Sequence, residues 1–164
     1  MNVFKAGKKD PGSLLEMTLF LWPDESESEI KKEVRDVLSS KRQAAFICRD
    51  DSGCDAGFIF VSVRREYVPG ATVYPLGYVE GIFVKPTRRR KGVAQSLLSQ
   101  GEKWAVEQGC RQMASDTWVW NDASRKFHTD VGFIEKETLV FYVKRIAEQD
   151  GGYAGESARQ VKND

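Results

Sequence analysis

The sequence predicts one mixed α/β domain, a largely antiparallel sheet with flanking helices. Two β-rich apolar runs, 44–49 and 57–65, flank Asp50-Asp51-Ser52-Gly53, a turn composition that makes them a hairpin. A third run, 76–85, passes through a basic, glycine-containing loop directly into a helical pattern, as a strand does when it feeds a crossover helix. The chain of 164 residues, 41% of them hydrophobic, is long enough for one such domain with a buried core.

Residues 1–5 supply a short first strand. Leu14, Leu15, Thr18, Leu19 and Trp22 then recur at helical spacing until Pro23 stops them. After the polar stretch 24–29, Ile30, Val34, Val37 and Leu38 repeat at i, i+4, i+7 and i+8, the stripe of a second amphipathic helix. The hairpin follows, and the turn-rich segment 67–75 connects it to the strand at 76–85. Ile82, Phe83 and Val84 are bulky or β-branched, and Pro86 ends the strand because proline has no amide to donate. Val93, Leu97, Leu98, Trp104 and Ala105 line one face of the next helix, which Gly109 closes, and 110–115 reads as a short buried strand. A short helix at 123–130 ends by Gly132. A closing strand is expected at 139–144, carrying Phe141 and Tyr142, with a weak division before it at 134–137. The expected order is β-α-α-β-β-β-α-β-α-β-β, within a domain spanning 1–146. From Ala147 the chain turns polar and glycine-rich, so 147–164 is expected to be a disordered tail.

Lys and Arg number 25 against 24 Asp and Glu, and a net charge of +1 offers no global field for nucleic acid or an anionic membrane. No apolar run approaches the ~20 residues of a membrane span, and no signal-peptide pattern opens the chain. Cys48, Cys54 and Cys110 are an odd number without metal-ligand spacing, and His128 is the only histidine. A reduced, cytoplasmic setting without a metal is expected.

The chemistry concentrates in Glu80-Gly81-Ile82-Phe83-Val84-Lys85-Pro86-Thr87-Arg88-Arg89-Arg90-Lys91-Gly92-Val93-Ala94. Gly92 allows close backbone approach, Ala94 is small, and the helix starting there presents unpaired N–H groups and positive dipole density to an anion. Arg88 to Lys91 also fits a solvated basic turn or a nucleic-acid patch. Its place between a buried strand and an amphipathic helix favours the phosphates of a cofactor.

Arg89-x-x-Gly92-x-Ala94 resembles the pyrophosphate signature of the GNAT superfamily of acetyl-CoA-dependent N-acetyltransferases. Asn121, Ala123 or Ser124, Phe127, His128, Gly132 and Phe133 resemble its later helix, with His128 where tyrosine is usual. Leu21-Trp22-Pro23-Asp24, Arg65-Glu66-Tyr67-Val68, Glu80-Gly81-Ile82-Phe83-Val84, Met113-Ala114-Ser115-Asp116 and Phe141-Tyr142-x-Lys144-Arg145 narrow the resemblance to bacterial aminoglycoside 6'-N-acetyltransferases.

That resemblance implies the GNAT fold, with central strands splayed apart, and acetyl transfer from acetyl-CoA to the 6'-amino group of an aminoglycoside by direct attack. It implies that backbone of Ile82, Phe83 and Val84 pairs with the pantetheine arm. The pyrophosphate would lie on the amides of Arg89, Arg90, Lys91, Gly92, Val93 and Ala94, with Asn121 contacting the cofactor from the far side or simply capping its helix. Asp116 would contact the reacting amine and Glu80 accept its proton, although a helix-entry cap and an exposed strand end are the ordinary readings of those positions. Trp22, Tyr67 and Glu137 match positions beside the acceptor; core packing accounts for Trp22 equally well, and solvent exposure for Glu137. Trp118 and Trp120 either wall the cleft or anchor their loop. His128 either protonates the leaving thiolate or makes a structural hydrogen bond. A homodimer formed through the C-terminal region is also implied. A GNAT acting on a polyamine or protein amine, and a non-catalytic acyl-CoA-binding module, are the competing functions.

Overall fold

A computed structural model describes residues 1–146; the tail expected at 147–164 lies outside the described residues. The elements are β1 (Asn2–Lys5), α1 (Pro11–Leu21), α2 (Glu27–Ser39), β2 (Gln43–Arg49), β3 (Asp55–Arg64), β4 (Leu76–Val84), a 3-10 turn (Pro86–Arg88), α3 (Val93–Glu107), β5 (Met113–Ser115) and α4 (Asp122–Asp130). The sheet order is β1-β2-β3-β4-β5, antiparallel through β4, with β5 parallel to β4. Helix α3 makes the crossover that a parallel pair requires.

Both faces of the sheet are covered, so the central strands are apolar almost throughout. Ile59 and Val61 of β3 face α3, packing with Leu97, Leu98 and Trp104. Their neighbours Phe58 and Phe60 face the other way, onto Leu14 and Met17 of α1 and Ile30 and Val34 of α2. Met17 is fully buried and completes the α1 stripe alongside Leu14, a contribution the sequence reading of that helix missed. Thr18 is equally buried, and its hydroxyl donates to the Leu14 carbonyl at 2.6 Å, which leaves no polar atom unsatisfied. Helix α2 begins with a capping box, Ser26 accepting from the Glu29 amide while the Glu29 carboxylate accepts from the Ser26 amide.

Two irregularities of β4 shape the rest of the molecule. Phe60 pairs with Gly81 and Val61 with Val79, so Glu80 is a surplus residue, a β-bulge. The bulge reverses the alternation: Val79, Ile82 and Val84 all pack on the α3 side although 79 and 82 are an odd number apart. Pairing with β5 covers only Gly77, Tyr78 and Val79, while β4 runs on through Val84. The two strands therefore part at Glu80.

The strand expected at 110–115 begins at Met113, because the Cys110 amide donates to the Ala105 carbonyl at 3.0 Å and finishes the end of α3 instead. The closing strand expected at 139–144 does not form: residues 133–146 carry no regular secondary structure, and Phe141, Tyr142 and Val143 are 85%, 91% and 97% exposed. Alternating apolar residues supply β propensity, but a strand also needs a neighbour for its amides, and among the described residues this segment has no ladder. One part of it is nonetheless seated. A Cβ at Gly70, whose φ is +74°, would lie 2.6 Å from the Lys136 Cβ, so 136 packs directly on the β3–β4 connection.

Candidate active site

Beyond Val84 the chain forms a cradle of unbonded amides. Arg90 and Gly92 both have positive φ, 59° and 77°, and Gly92 caps α3 without a side chain. Nothing lies within 4 Å of a Cβ built at Gly92, so its backbone angle, not crowding, favours glycine there. Among the described residues, the amides of residues 90–95 have no hydrogen-bond partner. The Arg89 amide is already used, donating to the Pro86 carbonyl at 3.3 Å, and its guanidinium Nε donates to the Val84 carbonyl at 3.1 Å. The open cradle is thus displaced one residue from the expected 89–94. Arg88 is tied to Asp50 at 2.6 Å, whereas Arg90 and Lys91 are exposed and make no ion pair among the described residues. Consecutive free amides at a helix start, with two uncommitted cations beside them, fit a pyrophosphate.

The carboxylates expected from the sequence lie at the parting of β4 and β5, and three further side chains join them. Arg64 of β3 grips Glu80 with two donors, Nη2 to Oε2 at 2.7 Å and Nε to Oε1 at 3.1 Å. Ser62 also donates to Oε1. The Arg64 guanidinium lies 3.4 Å from the centre of the Tyr78 ring, and the Tyr78 hydroxyl donates to Oδ1 of Asp116. Burial, and then the bond to Asp116, push the Tyr78 phenol well above its ordinary range. Asp116 itself is exposed, and its Oδ2 has no partner among the described residues. On α2, burial and the nearby charges of Glu80 and Asp36 push the half-buried Glu33 carboxyl up.

His128 is closed on both sides. Its Nδ1 lies 2.7 Å from the Ser124 carbonyl, which can only accept, so the proton resides on Nδ1. Nε2 then accepts from the Ser115 hydroxyl at 2.9 Å, tying α4 to the end of β5. Asn121 caps α4, its Oδ1 accepting from the Ser124 amide at 3.1 Å.

Trp22 leans on Phe60, ring centres 6.3 Å apart, and a Cβ at Gly81 would approach its ring to 3.1 Å. It therefore combines the packing reading with a place one residue from Glu80. Tyr67 is 77% exposed on the β3–β4 connection, and Glu137 is exposed in the segment that Lys136 seats on that connection. Neither makes a hydrogen bond to the carboxylates. Trp118 and Trp120 stack on each other, 6.1 Å apart and 6° from parallel, on an exposed turn pinned by Arg125 through the Val119 carbonyl. Ser62, Arg64 and Tyr78 were not anticipated. Their only local signal was Ser62 and Arg64 two apart, polar residues on one face of an otherwise apolar strand.

A sheet that opens beside an anion-binding helix start, with carboxylates at the opening, has the architecture of an N-acyltransferase that uses acyl-CoA. Residues 13–133 match the Acetyltransferase (GNAT) family, to which the chain belongs. Within that family it is a close relative of the bacterial aminoglycoside 6'-N-acetyltransferases. It is 38% identical over 126 residues to aminoglycoside N(6')-acetyltransferase type 1 of Serratia marcescens, covering 77% of this chain and 86% of that protein. The Acinetobacter haemolyticus enzyme of the same name is 36% identical over 146 residues, covering 89% and 99%. The apo crystal structure of the 6'-N-acetyltransferase AAC(6')-IG from A. haemolyticus superposes with a TM-score of 0.85 at 34% identity, covering 90% of this chain and 100% of that one. AAC(6')-Iy in complex with the bisubstrate analogue CoA-S-monomethyl-acetylneamine gives 0.84 at 34% identity, covering 88% and 98%.

Proposed function

We propose that this chain is an aminoglycoside 6'-N-acetyltransferase, using acetyl-CoA as cosubstrate and conferring resistance to the drugs it modifies. The observation that carries this reading is the linkage of Glu80 to Asp116 through Arg64 and Tyr78 where β4 and β5 part, β4 running on into the amide cradle. Acetyl-CoA supplies an activated acetyl group: the amine nitrogen bonds to the thioester carbon, the carbon–sulfur bond breaks, and the sulfur leaves as a thiolate that takes up a proton.

The chain's own residues bind and orient. Amides of 90–95 and the side chains of Arg90 and Lys91 hold the pyrophosphate, and the open edge of Ile82, Phe83 and Val84 aligns the pantetheine arm. Asn121 keeps its Nδ2 for the cofactor while its Oδ1 caps α4. An alkylamine arrives protonated, with a pKa of ~10 like that of lysine, and must lose a proton before attack. Asp116 receives the ammonium through Oδ2. Glu80 sits beside it as the second acceptor, with one lone pair left on Oε2 after Arg64 and Ser62 have taken theirs. Trp22, Tyr67 and Glu137 flank the drug. His128, bonded at both ring nitrogens, holds Ser115 and thereby the approach to Asp116.

A second copy covers the exposed run around Phe141, Tyr142 and Val143, giving a homodimer. Deleting 139–146 would then change the mass measured by sedimentation, and an unchanged monomer before and after deletion would remove the dimer. Three free cysteines suit a reducing cytoplasm, and among the described residues no helix is long and apolar enough to cross a membrane.

The deciding assay follows thiol release from acetyl-CoA with kanamycin or tobramycin, spermidine, and a lysine peptide in parallel. Release with the drugs is expected. Release with spermidine or peptide alone would redirect the chemistry to another amine, and none with any amine would leave an acyl-CoA-binding module.

A further inference from the structure

We propose that Arg64 is a positioning residue of the acceptor site, locking Glu80 and Asp116 into one unit so that Asp116 is left as the open carboxylate. The inference rests on the aminoglycoside reading above and assigns work within that site. Its basis is a chain of contacts across three strands: Ser62 and Arg64 on β3, Tyr78 and Glu80 on β4, Asp116 directly after β5.

Lone-pair counting separates the two acids. Each carboxylate oxygen accepts about two hydrogen bonds. Oε1 of Glu80 takes Ser62 and Arg64 Nε and is full, while Oε2 takes Arg64 Nη2 and keeps one site. Asp116 gives Oδ1 to Tyr78, and its Oδ2 has no partner among the described residues. A cationic amine entering here meets one carboxylate already neutralised by a guanidinium and one that is not. Two bare carboxylates would hold a second cation or a proton between them, and Arg64 supplies that positive charge permanently.

The geometry also explains why the group is arginine. The planar fork makes two parallel bonds to Glu80 while its flat face lies on the Tyr78 ring, which a lysine ammonium cannot do at once. Tyr78 is 6% exposed and cannot swing away, so the stack fixes the guanidinium on one side as Glu80 fixes it on the other. Register makes this possible. Ser62 lies opposite Tyr78 and Arg64 opposite Leu76, so these side chains share one face, and Glu80, two residues past Tyr78, meets Ser62 and Arg64 on it.

The test is a double-mutant cycle on the full-length protein, using Arg64→Met, Glu80→Gln and both together, with kcat and KM determined separately for tobramycin and acetyl-CoA. Arg64→Met is expected to lower kcat/KM for the drug at least about tenfold, the scale of a ~1.4 kcal/mol interaction. The KM for acetyl-CoA is expected to stay within about twofold, and in the Glu80→Gln background removing Arg64 should cost less than about threefold, because the two act as one unit. Arg64→Lys, the variant to use if Arg64→Met does not fold, keeps the charge without the fork. It should recover only part of the loss and show the same cancellation against Glu80→Gln.

Losses that multiply in the double variant, or fall equally on both substrates, would overturn the positioning role and leave a structural one. Those outcomes arise with an unaltered enzyme that turns over tobramycin. An unaltered enzyme that does not release thiol with the drug would overturn the aminoglycoside reading, and this inference with it.

Discussion

Tyr78 and Asp116 are joined by a hydrogen bond across the parallel β4–β5 pair, one residue beyond the last paired rung. The bond closes the paired end of the sheet just where the strands separate. It also gives this corner of the sheet a measurable pH signature.

The phenol is raised in the folded protein, so the folded state prefers its neutral form. The stability this supplies is complete below the unfolded tyrosine value of ~10 and drains as pH rises through the folded value, by up to about 1.4 kcal/mol per pH unit. Tyr78→Phe removes the titrating group. Urea melts should show the variant less stable at pH 7 by about 1 kcal/mol, with the two curves converging above pH ~10. Parallel curves would mean that Tyr78 does not titrate as the geometry requires.

Asp116→Ala should reduce turnover with tobramycin at least ~100-fold, the lower range for an acid–base group. Steady-state rates with acetyl-CoA saturating provide the measurement. Near-normal turnover would remove Asp116 from the reaction.

His128→Gln should cost less than about tenfold and leave the pH profile of kcat unchanged, because both ring nitrogens are occupied by Ser124 and Ser115. Loss of a general acid costs about 10²–10⁴-fold and would remove a limb of the profile. A missing limb would restore histidine as the proton donor to the thiolate.

Gly57→Ala probes the proposed cosubstrate stretch of β4 without removing a polar side chain. The added Cβ would meet the Phe83 carbonyl oxygen at 2.4 Å and the Val84 Cα at 3.2 Å, forcing β3 and β4 apart. A loss of about 1–3 kcal/mol in stability is expected, together with weaker CoA binding in calorimetry. Unchanged affinity for CoA would separate this stretch of β4 from the cosubstrate.

The elements with strong local periodicity were legible in the sequence. The hairpin turn, the α2 stripe of Ile30, Val34 and Val37, and the passage from Val84 through Gly92 into α3 all appear where residue pattern put them. What failed was the segment at 139–144, whose apolar alternation is real but which has no partner strand among the described residues. Glu80 and Asp116 were singled out through the family resemblance, whereas Arg64 and Tyr78 were not. Their contacts depend on cross-strand register, which residue propensity does not encode. Met17 was missed for a simpler reason, since its burial follows from the packing of α1 on Phe58 and Phe60.

The surplus residue at Glu80 makes β4 a strand with two phases. Up to Val79 its side chains keep step with the end paired to β5, and from Gly81 they keep step with the end that leads into the amide cradle. Replacements along this strand are therefore local events, but most changes of length are not. Deleting Ile82 would carry Phe83 onto the α3 face and Val84 off it, whereas deleting Glu80 would leave Val79 opposite Val61 and Gly81 opposite Phe60 in unbroken alternation, with Ile82 and Val84 still on the α3 core. A library of single-residue deletions should therefore find β4 unforgiving except at Glu80, where the ladder survives and only the carboxylate is lost.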